Sequence, residues 1–387
     1  MRTVVTAERL WDGSSLVDSP VVEIEDALIV SIHSRATGEL LSDAHHLELP
    51  GATLAPAFLD VHFHGAKNHD VMEATPAAIA AIGGYLAEHG TASYLATTVT
   101  APLDTTLRSL EALAKLVAQP PVAGRARLIG IHLEGPFLSH TKRGVQPGEH
   151  LLAPDIAIFD RMVEAADGQV RLMTIAPELP GAIELVAHAT ARGVRVSLGH
   201  SNATAAETRT AIAAGAVSAT HTFNAMRPLD HREPGILGTV LTDDALYAEL
   251  ICDGIHVAPE MVRLWWRAKG AERGILVTDA MSAAGMQDGE YQLGGFAVEV
   301  AHGRAMARGV LAGSVLTLDR ALANFVEFSG APLEQALRLL TANPASMIGV
   351  GDLTGSLGVG QAASFAAVDR AGKLVGSIVH GKAAFLP

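Results

Sequence analysis

Eight near-continuous apolar segments alternate with Ala-rich stretches through the middle of the chain, and short strand-like segments lie at both ends. This pattern predicts an α/β protein: a (β/α)8 TIM-like barrel with a small β-sandwich formed from both termini. Strands that are apolar throughout are buried on both faces. In alternation with helices they imply a parallel sheet covered on each side. Eight such units suit a closed barrel. An open doubly wound sheet is the alternative, but it would carry a glycine-rich fingerprint after its first strand, and the sequence has none there.

Taken in order, segments 3–7, 15–24, 27–33 and 46–49 read as short strands. Turns separate them at Asp12-Gly13 and Glu25-Asp26, and the last closes at Pro50-Gly51. These four cannot bury a core alone, and segments 364–369 and 373–380 supply matching material. The expected division is 1–51 and 351–387 for the sandwich and 52–350 for the barrel. Barrel strands are expected at 58–64, 91–99, 127–135, 171–176, 194–200, 218–224, 248–256 and 275–281. Helices are expected at 76–88, 103–118, 155–166, 182–191, 205–213 and 259–269. Segment 287–310 reads as a β-hairpin inserted after the eighth strand, and 316–340 as helical.

The 387 residues are 49% hydrophobic, enough for one large core and a satellite. Lys and Arg number 28 against 41 Asp and Glu, a net charge of -13. That balance argues against a nucleic-acid footprint and against adhesion to anionic membranes. It leaves an anionic small ligand open, since such a ligand needs only local positive charge. The single cysteine, Cys252, excludes a disulfide framework within the chain. It sits in an apolar run and reads as a buried thiol, with a nucleophile as the alternative. The first residues lack a signal-peptide core, and no apolar run is long enough to span a membrane, so a soluble cytoplasmic protein is expected.

In a barrel of this kind, catalytic groups gather at the C-terminal ends of the strands. The third strand ends on Glu134, just before Gly135-Pro136. A carboxylate there costs several kcal/mol of desolvation unless a cation meets it. Few Lys or Arg are placed to do so. Other strand ends offer His62 and His64, His200, His221, His256 and Asp279. His62 and His64 are two apart, so on a strand both imidazoles face one side and can share a cation. Imidazole and carboxylate are the usual ligands of zinc and its neighbours. A lone buried His is more often a hydrogen-bonded core residue; a whole series at strand ends points to a metal. His45, His46, His89, His150, His188 and His302 follow no such pattern.

An H-x-H start, a central carboxylate, two later His and a final Asp together resemble the amidohydrolase superfamily. The finer series is similar to the N-acetylglucosamine-6-phosphate deacetylases. It comprises His132-Leu133-Glu134-Gly135-Pro136-Phe137, Gly199-His200-Ser201-Asn202-Ala203 and His221-Thr222-Phe223-Asn224-Ala225-Met226. Arg232-Glu233-Pro234-Gly235, Asp253-Gly254-Ile255-His256 and Leu311-Ala312-Gly313-Ser314 continue it, in register from Pro50 to Asn343-Pro344-Ala345.

The resemblance implies hydrolysis of N-acetylglucosamine-6-phosphate to glucosamine-6-phosphate and acetate, in amino-sugar catabolism and cell-wall recycling. It implies that Glu134, His200 and His221 hold the main metal and that Asp279 is the catalytic acid/base. Asn224, Ala225 and Arg232 match contacts to the sugar phosphate, with Arg232 reaching a neighbouring subunit's site in a homodimer. His256 matches a sugar contact, Val145 and Gln146 another substrate-contact pair, and Leu311, Ala312 and Gly313 a pocket lining. Members without the first H-x-H pair carry a His at the position of Gln146 and look mononuclear. Here His62 and His64 stand with Gln146, which implies a second divalent ion bridged by Glu134. Zinc is the first expectation, with iron, manganese or cobalt also suited to these ligands. Alternatives are the galactosamine epimer as substrate, a cyclic amidase, or a non-catalytic barrel. A cyclic amidase would place a carboxylated Lys where this chain has Glu134. A barrel kept only for interaction would have lost ligands or Asp279.

Overall fold

The computed structural model describes residues 2–35 and 44–386. Eight parallel strands pair in sequence order: Phe58–Asp60, Thr91–Thr98, Arg127–Glu134, Val170–Ile175, Arg195–Leu198, Ala216–Ala219, Tyr247–Ile251 and Gly274–Val277. The ring closes just beyond the first and last of them. There the amide of Asp279 donates to the His62 carbonyl at 2.9 Å and that of His64 to the Ala280 carbonyl at 2.8 Å. The closing bonds therefore join the very segments that carry His62, His64 and Asp279.

Helices cover the barrel because their apolar residues recur at helical spacing. Leu103–Val117 buries Thr106, Leu110, Leu113, Ala114 and Val117 along one stripe. Leu318–Ser329 buries Leu318, Ala321, Leu322 and Phe325, the last of these packed edge-on against Trp265. Two helix limits follow from backbone chemistry. The helix Pro259–Arg273 breaks at Gly270, whose φ of 58° is left-handed. The expected helix 316–340 divides into Leu318–Ser329 and Leu333–Arg338, because Gly330 caps the first at φ 70° and Pro332 supplies no amide. A further helix, Gly235–Thr242, lies between the sixth and seventh strands and was not expected. Its two Gly and β-branched residues have poor helix propensity; burial of Ile236, Leu237 and Val240 holds it in place.

The terminal segments form one eight-stranded sheet that wraps a core of its own as a β-sandwich. Its joint is the strand His45–Pro56, parallel to Arg2–Trp11 on one side and antiparallel to Phe365–Val368 on the other. The strand does not close at Pro50-Gly51. Pairing slips there, between Ala7 and Arg9 of its neighbour, and resumes at Thr53. The Pro without an amide and Gly51 at φ 75° thus form a bulge and leave the strand intact. The insertion is also larger than a hairpin. Four antiparallel strands, Gly289–Leu293, Phe296–Ala301, Arg304–Ala307 and Val310–Leu311, pack on Val99 and Met281 over the barrel mouth.

Most barrel strands are shorter than expected, and the shortfall has a pattern. His62, His200, His221 and Asp279 each lie two residues past the last strand residue of their segment. His200, His221 and Asp279 have φ of 47°, 29° and 50°. Left-handed backbone ends the ladder and turns each side chain toward the barrel axis. Gly199 allows one of these turns, since a Cβ there would lie 2.7 Å from Thr220 Cβ and 3.0 Å from Thr174 Cγ2. Gly199→Ala is expected to destabilise the protein by about 1–3 kcal/mol and to loosen its hold on a divalent ion. Thermal unfolding and metal retention on dialysis measure the two effects.

Candidate metal centre and active site

Glu134 is the last residue of the third strand and is 3% exposed. All four imidazoles converge on its carboxylate. Oε1 lies 3.3 Å from His62 Nε2, 3.1 Å from His200 Nε2 and 3.2 Å from His221 Nε2. Oε2 lies 3.5 Å from His64 Nε2 and accepts a hydrogen bond from Gln146 Nε2 at 2.7 Å. Asp279 Oδ1 stands opposite, 3.1 Å from His64 Nε2 and 3.5 Å from His62 Nε2. Although His62 and His64 lie past the strand, their rings still meet, with centroids 5.2 Å apart.

The far side of each ring shows which nitrogen is available. His64 Nδ1 donates to the Thr97 carbonyl and His200 Nδ1 to the Lys142 carbonyl, both at 3.0 Å. His62 Nδ1 lies 3.2 Å from Glu249 Oε2. Carbonyl and ionised carboxylate oxygens only accept, so these three rings carry a proton on Nδ1, and loss of any second proton turns a lone pair inward on Nε2. His200 Nε2 and His221 Nε2 stand 3.1 Å apart. Buried His62 Nε2 has no hydrogen-bond partner.

The electrostatics follow from this crowding. Burial alone would raise the Glu134 carboxyl, but His62 and the hydrogen bonds from His200 and His221 hold it well below the usual carboxylate range. Asp279 is likewise pushed up by burial and pulled lower overall by His62 and His64. Burial opposes charge on His62, yet Glu134 and Asp279 hold its pKa well above the ordinary value. His132 goes the other way. Burial and the neighbouring His62 push it well below, so it stays neutral, its Nε2 2.8 Å from Thr174 Oγ1.

These donors fit divalent metal. Two groups, His62 with His64 and Asp279, and Glu134 with His200 and His221, each bring three ligand atoms within 4.8 Å of one another. Inward lone pairs, a convergent carboxylate and an unpartnered buried nitrogen are what a cation would satisfy.

Above the cluster opens a cavity of about 260 Å³. His64, Glu134, His200, His221 and Asp279 line its floor; Val145, Gln146, Asn224, Ala225 and His256 line its sides. The inserted sheet contributes Leu293, Val310 and Leu311, and Gly313 follows. His62 is completely buried beneath Glu134, and Ala312 is completely buried behind the wall. The side-chain amide of Gln146 is engaged with Glu134 and with the Thr100 amide at 2.9 Å. Arg232 lies outside the cavity on an exposed loop, its own amide bonded to Asp230. Sequence reasoning gave no role to three supporting acids, of which it had named only Asp253. Glu249 backs His62, Asp253 holds His256 Nδ1 at 2.7 Å, and Glu178 accepts from the Ser201 hydroxyl and the Asn202 amide beside His200. Glu249 carried the same signal as Glu134, an acid inside an apolar run.

Barrel, strand-end ligands and an acid facing the cavity together define a metal-dependent hydrolase. The chain belongs to the amidohydrolase family, which it matches over residues 53–384. It is 38% identical over 373 residues to N-acetylgalactosamine-6-phosphate deacetylase of Escherichia coli O157:H7, covering 95% of this chain and 96% of that protein. It is 34% identical over 377 residues to N-acetylglucosamine-6-phosphate deacetylase of Bacillus subtilis (strain 168), covering 96% and 94%. Among solved structures, a variant N-acetyl-D-glucosamine-6-phosphate deacetylase from Mycobacterium smegmatis, in complex with N-acetyl-D-glucosamine-6-phosphate, superposes with a TM-score of 0.92. That pair shares 34% identity over 99% of each chain. The Thermotoga maritima enzyme of the same name gives 0.85 at 31% identity over 100% of each chain.

Chelator-treated protein should melt at a lower temperature and recover when Zn²⁺ is restored, since an ion that binds only the folded state stabilises it. In His200→Asn most of the recovery should be lost, as differential scanning fluorimetry would reveal.

Proposed function

We propose that this chain removes the acetyl group of N-acetylglucosamine-6-phosphate, releasing glucosamine-6-phosphate and acetate. The observation that carries the reading is Asp279, a carboxylate at the floor of the cavity with Oδ1 3.1 Å from His64 Nε2. The full-length likeness to deacetylases of N-acetylhexosamine phosphates supports it.

Divalent ions bound by Glu134, His200 and His221 and by His62, His64 and Asp279 would supply a water of lowered pKa and a Lewis acid for the acetyl carbonyl. The two ligand groups would suit two ions, and zinc would suit their nitrogen and oxygen donors. Asp279 takes a proton from the attacking water and returns it to the departing nitrogen. Its lowered pKa keeps it ready as the base. His256, steadied by Asp253, faces the sugar, and Asn224 and Ala225 border the same side.

Phosphate recognition needs a cation, and among the described residues no Lys or Arg lines the cavity. Arg232, on its exposed loop, is the candidate, delivered from a second copy of the chain in a homodimer with shared sites. A guanidinium offers phosphate a bidentate fork. No helix among the described residues is long and apolar enough to cross a membrane. A cytoplasmic setting accords with a phosphorylated sugar as substrate.

The galactosamine epimer is a second reading, favoured by the 38% identity to the Escherichia coli relative of that name. Acetate release from the two 6-phosphates, compared as kcat/KM, separates the readings, and turnover of neither ends both. Asp279→Asn should lower kcat by about 10³-fold or more while substrate still binds, given the 10²–10⁴-fold that general acid–base catalysis contributes. Arg232→Ala should raise KM for the phosphorylated sugar far more than for its unphosphorylated counterpart. Equal effects on both would remove Arg232 from phosphate recognition.

A further inference from the structure

Glu249 is a buried acid behind the site to which the reaction above assigns no part. It lies within the seventh strand, Tyr247–Ile251, and is completely buried. Oε2 lies 3.2 Å from His62 Nδ1 and 3.2 Å from the backbone amide of His221. Oε1 has no partner, and neither oxygen forms an ion pair with Lys or Arg among the described residues. A buried carboxylate with so few donors is costly unless positive charge lies close by. The charge that answers it comes through the ring of His62, from a proton on Nε2 in the metal-free protein or from an ion bound there in its place.

We propose that Glu249 is a positioning residue that sets the affinity of the ion held by His62, His64 and Asp279; the proposal rests on the two-ion reading above. Three inward-facing imidazoles have identified acceptors on Nδ1, but they differ in charge. His64 and His200 have neutral carbonyls, of Thr97 and Lys142. Only His62 has a carboxylate. An anionic acceptor orients the ring and makes Nε2 a stronger donor to metal. It also adds a third negative charge, after Glu134 and Asp279, to a site meant for two dications. The same oxygen receives the amide of His221, whose φ of 29° is strained. Glu249 therefore touches one ligand of each group, and the two contacts differ in kind. It supports a side chain at His62 and a backbone amide at His221, so the His62 ion should feel its loss far more.

The test uses full-length protein stripped with chelator and titrated with Zn²⁺ against a competing chelator, with metal content checked by elemental analysis. Wild type should take two ions per subunit and a His62→Asn/His64→Asn double variant one. Glu249→Gln keeps an oxygen acceptor but not the charge. It should weaken one ion by about 10–100-fold and leave the other unchanged, as expected for an outer-shell partner of a ligand. Glu249→Met, which keeps only the volume, should weaken that ion further. Two ions bound by Glu249→Gln as tightly as by wild type would overturn the proposal and leave the two-ion reading intact. Equal weakening of both ions, with a lower melting temperature of the metal-free protein, would assign Glu249 to structure and also overturn it. One ion in wild type would overturn the two-ion reading and the proposal together. If Glu249→Met does not fold, Glu249→Gln decides.

Discussion

The structure at the barrel mouth depends on one buried carboxylate. Glu134 is almost fully enclosed, meets four imidazoles and lies near a second acid, Asp279, yet no Lys or Arg pairs with it among the described residues. Such a cluster is unfavourable as bare protein, because each charged or polar group has lost water and gained neighbours that compete for the same protons. Divalent ions held by His62, His64 and Asp279 and by Glu134, His200 and His221 would resolve the conflict. The barrel's closing bonds, Asp279 amide to His62 carbonyl and His64 amide to Ala280 carbonyl, fall at the same place. The bonds that close the barrel therefore also hold the segments that carry these residues.

Beneath the ligands lies a layer of buried polar groups that would be a liability in an ordinary core. His132 meets Thr174, Thr174 meets Thr220, and Thr220 donates to Ser197, at 2.8, 2.8 and 2.7 Å. Asp60 accepts from the Thr278 hydroxyl at 2.6 Å, and burial pushes its carboxyl up to about 7. Networks of this kind are tolerable when their members are satisfied, and they then hold their neighbours rigidly. Left-handed backbone at His200, His221 and Asp279 costs on the order of 1–3 kcal/mol each. It persists because bonds such as Ser314 amide to Asp279 carbonyl, at 2.7 Å, leave the chain no easier path.

Much of this was legible in the sequence, and the failures have physical causes. The eight apolar segments showed the barrel because burial on both faces leaves an uninterrupted hydrophobic run. His62, His64, Glu134, His200, His221 and Asp279 stood out as polar residues ending such runs, and five of them line the cavity floor while His62 lies beneath it. The strands carrying His200, His221 and Asp279 were extended to residues 200, 224 and 281, past their ends at Leu198, Ala219 and Val277, because composition does not report the sign of φ. Pro50-Gly51 read as a stop, although a bulge lets a strand pass it. The helix Gly235–Thr242 was invisible because its stability comes from burial and not from propensity. Glu249 and Glu178 were overlooked, and Asp253 was given no role, because what each does depends on which ring or amide it meets in the fold.

By itself, the sequence determined the alternation of strand and helix, the candidate ligands and acid, and the family to which the chain belongs. Each of these is written in residue type and order, which hydrophobic period and strand-end position expose directly. Only the tertiary structure decided which nitrogen each imidazole turns inward, which acid stands behind which ligand, and that Arg232 lies outside its own chain's cavity. Those are facts of distance between residues as far apart in the chain as His62 and Glu249, and no local pattern encodes them.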